Sequence, residues 1–401
     1  MTDISEGKIL ITGGTGHLGS ALIHHLVGQG VAPQNLRVMF LEGTPTESLQ
    51  DIPTIDLFPG NVLDVPRVDQ ALEGVTHVFH MVGNTTFDPF KKRGQWLVNV
   101  EGTRTVAEAC LRASSVEKMV YTSTVNTLGA PEPAGSIGDE ETSPYTAPRK
   151  YHSFASPEDA LDFADAVHAG RAPKKWWNKI GIGYFDSKLA AQEIITRFAR
   201  DNALPVVSVL PGTNFGPYDH FIGTGTYLLQ IYKNRMPGYT PGGGFPLTHV
   251  CDQAEGHLLA MTRGQLGERY IICGRAEDNL SLGDMLQVIA EVLQEKDPYR
   301  IIKVPKTQIP VGIARFGAMM AEFWAKITGG PCLLSRDAIR AGSFPSFYTY
   351  AKAERELGFA PKRTFRQAVA DMFDYYKAHN LLQVGGRVMD KVVANNNAKS
   401  S

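Results

Sequence analysis

The stretch "ILITGGTGHLGSALIHHL", residues 9–26, decides how the rest of the chain is read. Together with Lys8 its front is a short apolar run, "KILIT" (8–12), of the kind buried inside a sheet. Its back reads as helix from 17 to 29. Between the two, Gly13, Gly16 and Gly19 stand in a G-x-x-G-x-x-G spacing. The first glycine lets the chain turn, the second lets backbone approach a pyrophosphate, and the third allows tight helix–strand packing. The helix N-terminus then offers free N–H groups and a positive dipole end to phosphate oxygens. A glycine triplet alone is only a tight turn. With a strand leading in and a helix leading out, it reads as a dinucleotide-binding loop.

Outward from this loop, short apolar runs alternate with helical patterns. Strands are predicted at 35–41, 55–61, 75–83, 116–124 and 204–212, and helices at 66–73, 93–113 and from 184 to 201. Such alternation calls for an α/β fold, a Rossmann-type doubly wound parallel sheet covered on both faces. The second half is less regular. Gly and Pro cluster in a predicted loop, "PGYTPGGGFP" (237–246), followed by helices at 252–263, 281–295, 309–328 and 364–378 and a late strand at 267–274. The expected organisation is a dinucleotide-binding domain over 1–215, with an inserted lid-like segment at 145–180. A smaller, mixed substrate-binding region over 216–380 interleaves with it, and 381–401 reads as a flexible tail.

Composition narrows the function classes. Among 401 residues, 40 Lys and Arg balance 41 Asp and Glu, so no basic excess is available to coat nucleic acid. With 43% apolar and 20% charged residues the chain is ordinary globular material. Cys110, Cys251, Cys273 and Cys332 are scattered without a CxxC pair or a Cys/His cluster, which argues against a metal site or a disulfide framework and for a reducing, cytoplasmic setting. The N-terminus has no basic region ahead of an apolar run, so no signal peptide is expected. Arg315, Glu322 and Lys326 interrupt "IPVGIARFGAMMAEFWAKITGG" (309–330), so it is not an ordinary spanning helix. Ile313, Phe316, Met320, Phe323, Trp324 and Ile327 recur there at spacings of three and four, an amphipathic helix expected to pack on the core. Contact with a membrane surface, or with a greasy substrate, is the alternative reading.

The cofactor's sugar is read at the end of the second strand, where a carboxylate bonds a ribose 2′-OH and an arginine accepts a 2′-phosphate. In "LRVMFLEG" (36–43) Leu41 holds the discriminating place, with Glu42 next and Arg37 earlier. Glu42 favours NAD; Arg37 would admit NADP by reaching around the strand. The expected cofactor is therefore NAD or NADP.

"YFDSK" (184–188) sets Tyr184 and Lys188 one helical turn apart, on one face. Alone, the pair reads as exposed helical neighbours. It follows, however, a strand ending "VYTST" (120–124), which brings Ser123 and Thr124 to the sheet edge where ligands of open α/β sheets bind. With TGGTGHLG (12–19), NVEGT (99–103), YTST (121–124), YFDSK (184–188), LPGTNFGP (210–217) and the ending "AKAERELGFAPKRTFRQAVADMFDYY" (351–376), the chain resembles the extended short-chain dehydrogenase/reductase family over most of residues 8–378. The resemblance implies Tyr184 as the acid/base and Lys188 as the group that lowers the phenol's pKa and anchors the nicotinamide ribose. Counting back from Gly129, it implies Thr124, not Ser123, as the hydroxyl that steadies the substrate oxygen. Asn99 would fix the lysine's surroundings. The implied cofactor envelope takes in Gly13, Thr15, Gly16, His17, Leu18, Arg37, Glu42, Asn61, Val62, Met81, Val82, Gly83, Asn99, Tyr184, Lys188, Pro211 and Thr213. A homodimer through the catalytic-region helices is also implied.

Three departures from the family's pattern bear on the substrate. Sixty residues separate Thr124 from Tyr184, and the excess (145–180) reads either as a lid with Trp176 and Trp177 as wall residues or as a peripheral excursion whose tryptophans pack on its own helix. Thr213 and Leu210 replace the asparagine and arginine that nucleotide-sugar members use on a diphosphate, with Asn214 adjacent. The helix near 309–330 looks like the apolar helix beside the substrate cleft in the dihydroflavonol-reductase and 3β-hydroxysteroid-dehydrogenase branches, which suits a bulky hydrophobic substrate. Of the histidines, His17 is expected to meet the pyrophosphate through backbone, His24 and His25 to lie on a helix surface, and His80 and His249 to be structural. The expected function is carbonyl/alcohol interconversion by an NAD(P)-dependent oxidoreductase, acting on a bulky hydrophobic small molecule. The alternatives are a nucleotide-sugar epimerase or dehydratase, and a catalytically silent NAD(P)-binding scaffold.

Overall fold

The computed structural model describes residue 4 and residues 6–145, 151–330, 332 and 334–383. β1 (Lys8–Thr12) runs into the glycine loop and α1 (His17–Gly28) leaves it. β2 (Leu36–Phe40), β3 (Asp56–Pro59), α2 (Val65–Ala71) and β4 (Val75–His80) follow. Then come α3 (Lys92–Trp96), α4 (Gly102–Arg112) and β5 (Lys118–Thr122). A two-residue β6 (Ile137–Gly138) and α5 (Pro157–His168) precede α6 (Gly183–Asn202) and β7 (Val206–Pro211). Beyond these lie β8 (Thr213–Phe215), α7 (Gly225–Tyr232), β9 (Gly244–His249), α8 (Val250–Arg263) and β10 (Arg269–Ile272). β11 (Asn279–Ser281), α9 (Leu282–Lys296), α10 (Val311–Thr328) and α11 (Arg336–Ala341) come next. β12 (Phe347–Tyr348), α12 (Ala351–Leu357) and α13 (Phe365–Ala378) complete the described chain apart from short turns.

Seven parallel strands form the main sheet in the order β10-β7-β5-β4-β1-β2-β3. Strand order reverses between β1 and β4, and in open α/β sheets that switch opens a ligand crevice at the strands' carboxyl ends. Side-chain alternation along each strand divides the core in two. Leu10, Val78 and Met119 face one layer with Trp96, Val106, Leu189 and Ile194, whereas Ile9, Ile11, Phe79 and Val120 face the other with Leu22, Leu26, Ala254 and Met261. β10 lies beyond residue 215, so the second half of the chain returns to the sheet. A mixed sheet, β11-β9-β8, packs with α7, α9 and α13 around Leu228, Met285, Leu286, Phe365 and Met372.

Three predicted elements change. The helix expected over 93–113 is interrupted by a π-helical turn at 97–101, which rotates Asn99 inward. The 237–246 loop ends early, because β9 starts at Gly244 and pairs with β11 and β8. The helix expected near 309–328 forms, but it does not pack on the core through its bulky residues: α10 buries Ala318, Glu322 and Ala325 and leaves Ile313, Phe316, Phe323 and Trp324 exposed. Small residues let its backbone approach α11, and Glu322 accepts hydrogen bonds from the Arg336 backbone N–H (2.7 Å) and from Arg336 Nε (2.8 Å). Of the expected tail, Leu381–Gln383 form a 3-10 turn, with Leu381 and Leu382 packed against the third core cluster, and 384–401 lie outside the described residues.

Candidate active site

At the carboxyl end of β1 the glycine loop closes against the end of β4. Gly13 has a φ of +74° and donates its N–H to the Met39 carbonyl at 3.0 Å; a Cβ there would come within 3.0 Å of the Val82 nitrogen. A side chain at Gly19 would collide with the Gly13 carbonyl oxygen. Gly16 precedes α1 and supplies no side-chain cap, so the first N–H groups of a twelve-residue helix face the crevice with no side-chain acceptor. Thr15 is buried in the loop, and Leu18 packs into the second core cluster. A diphosphate fits this cradle. His17 does more than lend backbone: its Nδ1 lies 3.4 Å from Asn214 Nδ2, and its buried Nε2 meets no hydrogen-bond partner among the described residues. Burial lowers its pKa, with Asp219 opposing.

Glu42, exposed just past β2, and Asn61 and Val62, past β3, line the same edge of the sheet. So do Met81, Val82 and Gly83 past β4, Pro211 at the end of β7 and Thr213 beyond it. Arg37 does not. It is the second residue of β2, at the opposite edge, where its Nε donates to Asp56 at 2.7 Å and its Nη1 to the carbonyls of Ala71 (3.0 Å) and Gln70 (3.3 Å). The cofactor role expected of Arg37 is corrected accordingly: this guanidinium closes the bottom of the sheet.

The reactive-looking groups come from β5 and α6. Tyr184 is half-buried, and the Thr124 hydroxyl lies close enough to its phenol to act on its pKa. Burial pushes the Tyr184 pKa up to about 12, and the nearby Thr124 hydroxyl pulls the other way. Lys188 is buried one turn on; its Nζ donates to the Thr122 carbonyl at 2.7 Å and lies 4.7 Å from the centre of the Tyr121 ring. Burial brings its pKa down to about 7. An ammonium has three donors, and the Thr122 carbonyl is its one hydrogen-bond acceptor among the described residues. Ser123, the rejected neighbour of Thr124, has a buried hydroxyl with no such partner.

Several residues unmarked in the sequence complete the arrangement. Asn126 donates both its backbone N–H (3.3 Å) and its Nδ2 (3.1 Å) to Thr124 Oγ1. Two accepted bonds leave the threonine hydroxyl to act as a donor. The Asn126 amide is held at its other end by the buried Tyr151 hydroxyl, which donates to Oδ1 at 2.9 Å and lies 3.2 Å from Ser346 Oγ. Asn99, on the π turn, meets the Asn84 backbone N–H (2.7 Å) and carbonyl (3.0 Å) and donates to Ser187 Oγ at 2.9 Å, tying α6 to the loop after β4. Buried Asp186 accepts from the Ser153 and Gly181 N–H groups and lies 3.4 Å from His152 Nδ1. A carboxylate between the Tyr and Lys of a helix that must face the core was the available signal for it. Phe87 (ring centroids 5.9 Å apart) and Phe185 stand against Tyr184, and Ala130, Ala341 and Phe344 pack on the same apolar cluster of Tyr151, Ile182 and Phe185.

The insertion divides in two, with residues 146–150 outside the described set. Tyr151 and His152 run beside Phe185, next to the site. From 157 onward it leaves the mouth: α5 packs along α6, and Asp165 binds Arg104 of α4 (2.8 Å) and Arg197 of α6 (2.6 Å). Trp176 packs edge-on against Trp96 (5.6 Å) and against Phe163 of α5 (6.1 Å), the second of the two readings of the insertion; Trp177 follows it and meets Arg93. α5 thus covers part of the helical face assigned to a homodimer. Nor are His24 and His25 free surface residues: His24 Nε2 lies 2.8 Å from the Ser48 carbonyl oxygen and its ring stacks on Tyr218, and His25 is half-buried. His80 is held between Thr12 Oγ1 (2.8 Å) and Thr103 Oγ1 (3.1 Å), and burial brings its pKa down to about 3. His249 caps α8 and meets Asp371, both as expected of structural residues.

A dinucleotide cradle at a topological switch, with a Tyr–Lys pair and a strand-end hydroxyl across from it, defines an NAD(P)-dependent dehydrogenase or reductase. Residues 10–156 match the 3-beta hydroxysteroid dehydrogenase/isomerase family, and 181–273 the NAD dependent epimerase/dehydratase family. Over these two spans the chain is similar to both families. It is 28% identical over 378 residues to a putative dihydroflavonol 4-reductase of Synechocystis sp., covering 93% of this chain and 95% of that protein. It is 28% identical over 318 residues to a UDP-glucose 4-epimerase of Streptomyces lividans, covering 72% and 81%. The fold is shared with the Thermus thermophilus UDP-glucose 4-epimerase solved with NAD, at 19% identity and a TM-score of 0.65 over 92% of this chain and 98% of that one.

Proposed function

We propose that the protein interconverts a carbonyl and an alcohol on a bulky hydrophobic substrate, with Tyr184 as the proton donor and acceptor. The observation that carries this reading is the placing of Tyr184 one turn before buried Lys188, whose Nζ donates to the Thr122 carbonyl at the sheet's carboxyl edge, with Tyr184 and Phe87 packed against one apolar cluster. The glycine loop and the N-terminus of α1 hold the diphosphate, and bound nicotinamide gives or takes hydride. With its pKa pushed up to about 12, the phenol is protonated at neutral pH, the form that gives a proton to a carbonyl oxygen. Thr124, kept a donor by Asn126, steadies the oxygen that changes charge. Lys188, buried one turn on with its Nζ on the Thr122 carbonyl, favours the phenolate in its ammonium form once the proton has left. Residues 216–380 contribute the far wall of the substrate site. NAD(H) is the preferred cofactor, since a carboxylate at Glu42 repels a 2′-phosphate and Arg37 is committed to Asp56.

The test is Tyr184→Phe assayed beside a parallel NADH and NADPH fluorescence titration. Turnover of an apolar aldehyde or ketone should fall about 10²–10⁴-fold while NADH affinity stays within about two-fold. Unchanged turnover would remove Tyr184 from the reaction. The epimerase or dehydratase reading has the Streptomyces lividans relative in its favour; it predicts that no added carbonyl compound oxidises free NADH.

A further inference from the structure

We propose that α10 is a docking surface for an anionic lipid membrane, set beside the mouth of the substrate site. At 100° per residue, Ile313, Phe316, Met320, Phe323, Trp324 and Ile327 fall within an arc of roughly 100°. That arc points away from the protein: Phe316 is 61% exposed, Phe323 54% and Trp324 62%. Single exposed hydrophobes are ordinary, but a continuous stripe of this size on one helix marks a contact surface. The helix is not long and apolar enough to cross a bilayer, so lying in the interface is the geometry open to it.

Charge selects the occupant. Lys303, Lys306, Arg315 and Lys326 are all exposed, and none forms an ion pair with a carboxylate among the described residues. The one acid between 301 and 330, Glu322, is turned inward and paired with Arg336. Arg315 and Lys326 lie about 20° apart, on one flank of the apolar stripe. Aromatic and aliphatic bulk flanked by unneutralised cations fits anionic headgroups over acyl chains.

The helix is also connected to the site. Ser335, which caps α11 behind α10, donates to the Phe87 carbonyl at 2.6 Å, and the Phe87 ring meets Tyr184 edge-on. Lys92, before the π turn, binds Asp337 at 2.8 Å. A hydrophobic substrate leaving the bilayer at α10 would therefore enter beside Tyr184. That delivery role rests on the proposed function; the docking itself does not.

The experiment is vesicle co-sedimentation of the full chain with pure phosphatidylcholine and with phosphatidylcholine containing phosphatidylglycerol. Capture is expected on the anionic vesicles only, weakening several-fold between about 0.1 and 0.5 M salt. The triple variant Phe316→Ser, Phe323→Ser, Trp324→Ser should lose about ten-fold or more of that capture with NADH binding unchanged, which separates lost docking from lost fold. No capture by either vesicle, or capture the triple variant keeps, overturns the proposal. So does a wild-type dimer in vesicle-free sedimentation that the triple variant abolishes, because a second copy would then cover the face. Aldehyde turnover by the triple variant in detergent keeps the two ideas apart: intact turnover with lost docking leaves the catalytic reading standing.

Discussion

Helices α6 and α10 are close in length, 20 and 18 residues, and their contents run opposite to their environments. α6 carries Asp186, Ser187, Lys188 and Gln192 and buries all four; α10 carries Phe316, Phe323, Trp324 and Ile327 and buries none of them. Burying polar groups is costly unless each is bonded, and α6 draws Asn99, Thr122, Ser153 and Ser208 onto its face, with Gln192 Oε1 left without a partner among the described residues. Exposing large apolar groups also costs, and within the described residues nothing covers the stripe on α10. A polar interior marks where chemistry is held in place, and an apolar exterior marks where another phase is met.

The sharpest way to break the comparison lies on α6. Lys188→Met keeps the stem and removes the cation; turnover should fall about 10²–10⁴-fold. Unlike Tyr184→Phe, it should also weaken NADH binding if Lys188 anchors the ribose, as the family resemblance implies. Stopped-flow turnover with NADH titration checks both, and a variant as active as wild type would make the burial of Lys188 merely structural.

Asp186 gives the next effect, on stability. Burial pushes its carboxyl up, but His152, whose Nδ1 lies 3.4 Å away, and the Ser153 N–H more than offset this and hold its pKa below the ordinary value. A carboxyl more acidic folded than unfolded stabilises the fold above the unfolded value of about 3.9, and that contribution is lost as pH falls through the folded value. Asp186→Asn should cost about 1.5–3 kcal/mol at pH 7, and the gap to wild type should narrow on acidification toward pH 3. Thermal melts across that range measure it; a pH-independent gap would mean the carboxylate's charge contributes nothing.

A smaller change should follow at Asn126. Asn126→Ala frees the Thr124 hydroxyl to rotate, and kcat should drop about ten-fold with KM nearly constant, the size of one misdirected hydrogen bond. Tyr151→Phe, which unlocks the same amide from its far end, should reproduce the direction at reduced size.

The sequence made some of this visible and hid the rest for physical reasons. Short apolar runs and the glycine spacing declare the sheet and its ligand loop, since both are local patterns. Tyr184 and Lys188 lie one turn apart on α6, and the Lys188 Nζ reaches the end of β5 at the Thr122 carbonyl. The partners of Arg37 and Asn126 were not legible, because Asp56 and Tyr151 lie 19 and 25 residues away and only the fold unites them. The π turn at Asn99 has no composition signal of its own. On α10 periodicity identified the apolar stripe but not its direction, because amphipathicity says that two faces differ, not which one meets the protein.

That last ambiguity supplies the smallest predicted effect. If the stripe is free in solution, Trp324→Ser removes no packing, and Trp and Ser have nearly equal helix propensities. Stability should then change by less than about 0.5 kcal/mol, as for a surface position. The contrasting substitution is Ala325→Ser, one residue on: Ala325 is buried on the inward side of the same helix, and a hydroxyl there lacks a partner, so about 1–3 kcal/mol should be lost. Chemical denaturation of both variants reads the direction of the helix from two neighbouring residues. The reverse ranking, with Trp324 costly and Ala325 cheap, would turn α10 inward and remove the contrast with α6.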